Sequence, residues 1–291
     1  MVNKSYDRQT KQYLEDDFGS GSLNFLYNTF LGRILLKLIF TRRSISKAYG
    51  LYMRSRLSKG KINKFIKKYN ISLEEYEDVE YKNFNDFFIK QIKKESRPID
   101  NDKNALISVC DGRLKRYKIT NDLRLNIKNT VYSLEELVEN REVVEKYAGG
   151  ECLVLRLSLK DYHRYCYIDN GKHEKNIKIK GILHTVQPIS QSRYKVYSKN
   201  SREWTILNTQ NFGDVIQIEV GAILVGKIKN YYENYTFEKG EEKGYFEFGG
   251  STIVLLFKKD IVKIDEDIIE NSKEDIETIV KMGEKIGENI C

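Results

Sequence analysis

Proline is almost missing from this 291-residue chain, where Pro98 and Pro188 are the only two. No Pro-rich linker therefore divides it, and no low-complexity tail is visible. Cysteine is sparse as well. Cys110, Cys152, Cys166 and Cys291 form no C-x-x-C pair and have no metal-ligand spacing. With no signal peptide at the N-terminus, they read as reduced thiols of a cytoplasmic protein. Also lacking are a nucleotide-binding loop and a G-x-S-x-G elbow, which argues against an ordinary α/β-hydrolase. Neither a nucleotide nor a metal is expected as cofactor.

What is present is ordinary in amount and uneven in placement. Forty per cent hydrophobic and 32% charged residues fit a folded protein of one large domain or two small ones. The net charge of +8 favours an anionic partner, either nucleic acid or an acidic membrane surface. A lysine-rich soluble surface would give the same number. Residues 1–20 are polar without a clear period and are expected to form a loose arm. Residues 23–40 are strongly apolar but interrupted by Arg33 and Lys37, so they fall short of the roughly 20 apolar residues a spanning helix needs. On a helix those two cations share one face while Phe30, Leu31, Ile34, Leu35 and Leu38 line another. That pattern fits a helix lying in a membrane interface and equally a buried core helix. Arg54, Arg56, Lys59, Lys61, Lys64, Lys67 and Lys68 follow, with Leu57, Ile62, Phe65 and Ile66 among them. A basic cluster after so long an apolar stretch favours an anionic lipid surface over nucleic acid.

Ser72 and Glu75 have capping-box spacing and predict a short helix. Residues 83–92 read as another helix. Beyond about residue 105 the period becomes two: Leu153, Leu155, Leu157 and Leu159 alternate with Val154, Arg156 and Ser158, and Ile216, Ile218 and Val220 with Gln217 and Glu219. Ile177 and Ile179 alternate likewise. These are read as half-buried strands. Residues 279–287 fit a strand, a turn and a second strand better than a last helix. The expected fold is α+β, with amphipathic N-terminal helices followed by a mainly β, sandwich-like core. Residues 1–100 would be a basic, membrane-associating helical region and residues 101–291 the catalytic core.

Gly249-Gly250-Ser251-Thr252 lies between two strand-like runs. A serine hydroxyl beside a glycine carbonyl in a Cβ-free bend can attack its own backbone. A β-bulge would need the same glycines. Asp111 sits in an Asp-Gly turn, a common structural feature. His163 follows the strong 153–159 strand, where it could be a general base or a structural ring. Serine, histidine and aspartate form a relay in any chain order, because geometry defines it. Asp111, His163 and Ser251 are the candidates here.

Six strings, in this order, carry a resemblance: Phe84-Asn85-Asp86-Phe87-Phe88 with Ser96-Arg97-Pro98-Ile99-Asp100, Asp111-Gly112-Arg113, Asp161-Tyr162-His163-Arg164, His184-Thr185-Val186-Gln187-Pro188-Ile189, Asn200-Ser201-Arg202-Glu203 and Gly249-Gly250-Ser251-Thr252. From about residue 26 to the C-terminus the chain resembles the pyruvoyl-dependent phosphatidylserine decarboxylases of bacteria, type II. The resemblance implies self-cleavage between Gly250 and Ser251, started by an Asp111–His163–Ser251 relay, into a β chain of residues 1–250 and an α chain of residues 251–291. Ser251 would become a covalent pyruvoyl group that forms a Schiff base with phosphatidylserine and releases phosphatidylethanolamine. It also implies a heterodimer of α and β chains, further dimerised, peripheral on the cytoplasmic side of the cell membrane, with no metal or nucleic acid. Many members carry a second histidine three positions after the first. Cys166 stands there in this chain, so His163 would serve both steps or His184 would assist. The rival expectations are a Ser-His-Asp hydrolase that does not cut itself and a non-catalytic lipid-binding protein.

Overall fold

The alternating runs do form strands, but their burial is not that of a one-sided sheet. The computed structural model describes residues 3–16, 25, 29–35, 43–127, 130–181, 195–221, 227–249 and 251–290. Among these, an eleven-stranded sheet runs in the order Tyr235–Phe237, Gly171–His173, Arg202–Thr209, Asp214–Gly221, Ser251–Phe257, Glu151–Leu157, Gly112–Lys118, Glu277–Val280, Asn3–Asp7 and Gln12–Asp16. Ile177–Ile179 pairs with Arg202–Thr209 off this path. Neighbours are antiparallel, except that Asn3–Asp7 runs parallel to Glu277–Val280. Ser251–Phe257 therefore lies between two long strands, with Ser251 opposite Leu157 on one side and Gly221 on the other.

Successive side chains in a strand point to opposite faces, and here each face has its own core. Leu153, Leu155, Ile253 and Leu255 join Leu106, Tyr165, Phe246 and Ile286 from two three-stranded sheets. Cys152, Val154, Val254 and Leu256 join Leu134, Leu137 and Tyr197 on the opposite face. For this reason the half-buried expectation fails for residues 153–157 and 216–220, whereas on Ile177–Ile179 Lys178 is exposed and Ile179 buried. The polar members of the alternation are buried too, and they survive by pairing. Lys243 meets Glu219 at 2.8 Å, and Arg156 holds Glu277. Removing one partner of such a pair would strand a charge in the core.

Residues 3–16 are no loose arm. They form a hairpin that extends the sheet, and Arg8 at its turn is held by Asp265, Asp267 and Glu284 at 2.8, 2.8 and 2.9 Å. The front end is helical as expected, with Phe30–Leu35, Arg43–Met53, Lys61–Tyr69 and Phe84–Phe88 among the described residues. Apart from Phe25 and Thr29, the rest of the 23–40 stretch lies outside them. No helix in the described part is long and apolar enough to cross a membrane. The capping box at Ser72 opens no helix: Ser72 Oγ accepts from Glu74 N, while the Glu75 carboxylate is taken by Arg97. The helix expected over 83–92 shrinks to Phe84–Phe88, started by Asn83, whose Oδ1 accepts from Asp86 N at 2.9 Å. Residues 277–289 give strand, turn and strand as read. Gly283 makes the turn at φ +85°, where a Cβ would lie 2.6 Å from the Pro98 carbonyl oxygen.

Candidate active site

Ser251 opens the central strand Ser251–Phe257 and is fully buried. Gly249, two residues before it, has φ +139°, a conformation side-chain-bearing residues rarely adopt. Gly250, the expected acyl donor, lies outside the described residues, as does His184.

His163 comes from the turn that follows the neighbouring strand Glu151–Leu157, and it too is fully buried. Its Nδ1 is 3.4 Å from Ser251 Oγ, and its Nε2 is 3.0 Å from the Ser158 carbonyl oxygen. A carbonyl only accepts, so Nε2 carries the hydrogen and Nδ1 is left bare to receive the serine proton. Burial pulls the imidazole down to about 3; Asp161 opposes that shift and Lys90 reinforces it. The ring is therefore neutral at physiological pH, the form a base needs. Phe88 stacks on it at 4.1 Å between ring centroids.

Asp111 is buried nearby without touching His163. Its oxygens accept from Arg97 Nε at 2.9 Å, Arg97 Nη2 at 2.7 Å and Met282 N at 2.9 Å. The place a relay acid would take at Nε2 is held by the Ser158 carbonyl instead. Asp161 shapes that turn, accepting from Ser158 N at 2.6 Å and from Arg113 at 3.0 Å. Cys166 is buried, its thiol pushed up to about 12 by burial, and among the described residues its Sγ donates to the Ser108 carbonyl, at 4.0 Å. A thiol so placed is inert as a base.

Four residues that the sequence reading left without a role also surround Ser251, His163 and Asp111. Asn85 Oδ1 accepts from Phe248 N at 3.3 Å, and the Phe248 ring packs against Phe84 and Phe88. Ser158 and Asp161 fix the tautomer of His163, and Arg97 holds Asp111. Asn85, Arg97 and Asp161 stand inside the strings that carry the resemblance, but a contact partner far along the chain, or a backbone carbonyl, leaves no mark in a sequence. Among the described residues no cluster of His, Cys, Asp and Glu is placed to hold a metal ion.

A family model described as phosphatidylserine decarboxylase matches residues 84–288. The chain is 52% identical over 284 residues to phosphatidylserine decarboxylase proenzyme 2 of Clostridium acetobutylicum, covering 97% of each chain. It is 47% identical to a phosphatidylserine decarboxylase proenzyme of Clostridium botulinum (98% of each) and 44% identical to one of Clostridium perfringens (98% of this chain, 99% of the relative). With Ser251 and His163 both inside the matched region and relatives of about half identity covering nearly the whole chain, the chain belongs to the phosphatidylserine decarboxylase family.

Proposed function

We propose that this chain is the precursor of an enzyme that decarboxylates phosphatidylserine to phosphatidylethanolamine, and that it matures by cutting itself between Gly250 and Ser251. The observation that carries the reading is the 3.4 Å approach of Ser251 Oγ to a neutral His163 Nδ1 in a fully buried site. An external acyl substrate cannot reach a serine with no exposed surface. The adjacent peptide carbonyl can, which disfavours the hydrolase alternative.

His163 takes the Ser251 Oγ proton as the oxygen adds to the Gly250 carbonyl carbon, and the proton passes to the Ser251 nitrogen as the amide C–N bond breaks. The product is an ester with a free amine on residue 251. Loss of the Ser251 Cα proton then expels Oγ as the Gly250 carboxylate and leaves dehydroalanine. Addition of water and departure of ammonia convert that residue to a ketone. The resulting pyruvoyl group supplies a carbonyl that condenses with the substrate amine and accepts electrons as carbon dioxide leaves. In this reading Asp111 supports the site through Arg97 and Met282 rather than through His163, and Cys166 keeps its proton and takes no part.

The two fragments would stay together as an α–β heterodimer, because Ser251–Phe257 is hydrogen-bonded on both sides and buried on both faces. A basic front end suits a peripheral enzyme whose substrate is an anionic lipid. Further dimerisation and a place on the cytoplasmic face of the membrane follow from the family resemblance. The purified protein should elute as one species in native buffer and run as two bands on a denaturing gel, the smaller spanning residues 251–291 and blocked to amine-reactive sequencing. Ser251→Ala should leave one full-length band and no decarboxylation; activity surviving in Ser251→Ala would refute the scheme.

A further inference from the structure

Lys90 is a buried lysine that neither the cut nor the fold accounts for. It follows the helix Phe84–Phe88 and is 4% exposed. Its ammonium lies over the Tyr76 ring at 4.4 Å and the Phe87 ring at 4.8 Å. Two carboxylates, Asp111 and Asp161, and the imidazole of His163 interact with its charge. Each carboxylate, however, already has a guanidinium of its own. Asp111 is bound by Arg97 and Asp161 by Arg113, and the nearby Glu75 is bound by Arg97 as well. Among the described residues none accepts a hydrogen bond from the Lys90 ammonium, although the Phe87 carbonyl accepts one from its backbone N. Lys281 adds another positive charge, 3.6 Å from Asp111. Among the described residues each of these carboxylates is thus in contact with a cation other than Lys90, whose ammonium lies over two rings and acts on the charge of His163. An unpaired buried cation is costly unless something anionic comes to it.

We propose that Lys90 is the cation that holds the phosphodiester of the substrate headgroup beside His163. The assignment deepens the decarboxylase reading and rests on it. The headgroup also has a carboxylate, but that group must shed its charge as carbon dioxide. A cation gripping it would stabilise the reactant over the transition state and slow the reaction. The phosphodiester keeps its charge throughout, so a grip on it binds reactant and transition state alike. Such uniform binding appears in KM and leaves kcat alone. Ser251, His163 and Lys90 are all sealed in the uncut chain, so one opening, at the broken bond, would admit the headgroup to all three.

Self-cleaved Lys90→Met, Lys90→Arg and wild-type enzyme, assayed on phosphatidylserine in detergent micelles, test this. Lys90→Met should raise KM about tenfold or more with kcat within about threefold, the loss of one charge-assisted hydrogen bond, and Lys90→Arg should restore KM. Inorganic phosphate should compete with substrate in the wild type and not in Lys90→Met, while acetate competes in neither. Burial holds the ammonium at about 8 against the opposing pull of Asp111 and Asp161. Phosphate competition in the wild type should therefore fade as pH rises past that value, a readout that stands even if Lys90→Met fails to mature. A fall in kcat at constant KM, competition by acetate, or no competition by phosphate would each overturn the assignment. A wild-type enzyme without decarboxylase activity would instead sink the reading beneath it.

Discussion

At the scale of single residues, the site turns on which nitrogen of His163 carries a hydrogen. The Ser158 carbonyl settles this at Nε2, the service a buried aspartate performs in a serine-protease relay. Because burial lowers the imidazole to about 3, the base stays competent through the mildly acidic range. Precursor made by cell-free translation and followed on a gel should cleave about equally fast at pH 8 and pH 5. A rate that halves near pH 6.5 would mean an ordinary, exposed base. The same shift has a cost in stability. Below about 6.5 the unfolded imidazole takes up a proton that the folded one refuses until about 3, so stability falls as pH falls through that window. Intact Ser251→Ala precursor should therefore melt lower at pH 5 than at pH 7, and adding His163→Gln should shrink the difference.

One short helix, Phe84–Phe88, touches both parties to the proposed cut. Phe88 stacks on His163, and Asn85 holds the Phe248 backbone just ahead of the glycines. Asn85→Ala should slow self-cleavage by about three- to tenfold, the equivalent of one hydrogen bond, with unchanged circular dichroism. Asn85→Asp, which keeps an acceptor oxygen, should recover most of the rate. A wild-type rate in Asn85→Ala would remove the helix from the mechanism. Elements of this kind mark the limit of what the sequence discloses. Ser251 and His163 were legible because their chemistry is local to short strings, and the central strands because they alternate. The hairpin at residues 3–16 was not, since its strands are polar and owe their order to Glu277–Val280 across the chain. Glu75 misled in the same way: its spacing from Ser72 is that of a cap, but a buried Arg97 is a stronger partner than an exposed helix end.

For the whole molecule, the charge excess is concentrated at the front. Of the seven cations between residues 54 and 68, Arg54 is engaged by Glu247 and Lys59 by Glu80. Arg56, Lys64, Lys67 and Lys68 are exposed, with no acidic partner among the described residues. Ile62, Phe65 and Ile66 turn inward onto the Phe84–Phe88 cluster, so any lipid contact belongs to the large apolar groups left outside. Leu57 is 82% exposed, Leu51 63% and Phe30 75%. Apolar surface of this kind beside free cations fits an interface of acyl chains and anionic headgroups. Each cation near such a surface adds about 1 kcal/mol, so four supply on the order of 4 kcal/mol and their loss should weaken binding by about a hundredfold or more. The protein should cosediment with vesicles rich in phosphatidylglycerol and not with phosphatidylcholine alone. Replacing all four cations by Gln should abolish that binding, as should about 0.5 M salt, where screening is nearly complete. Binding that resists both changes would place the membrane contact elsewhere on the molecule.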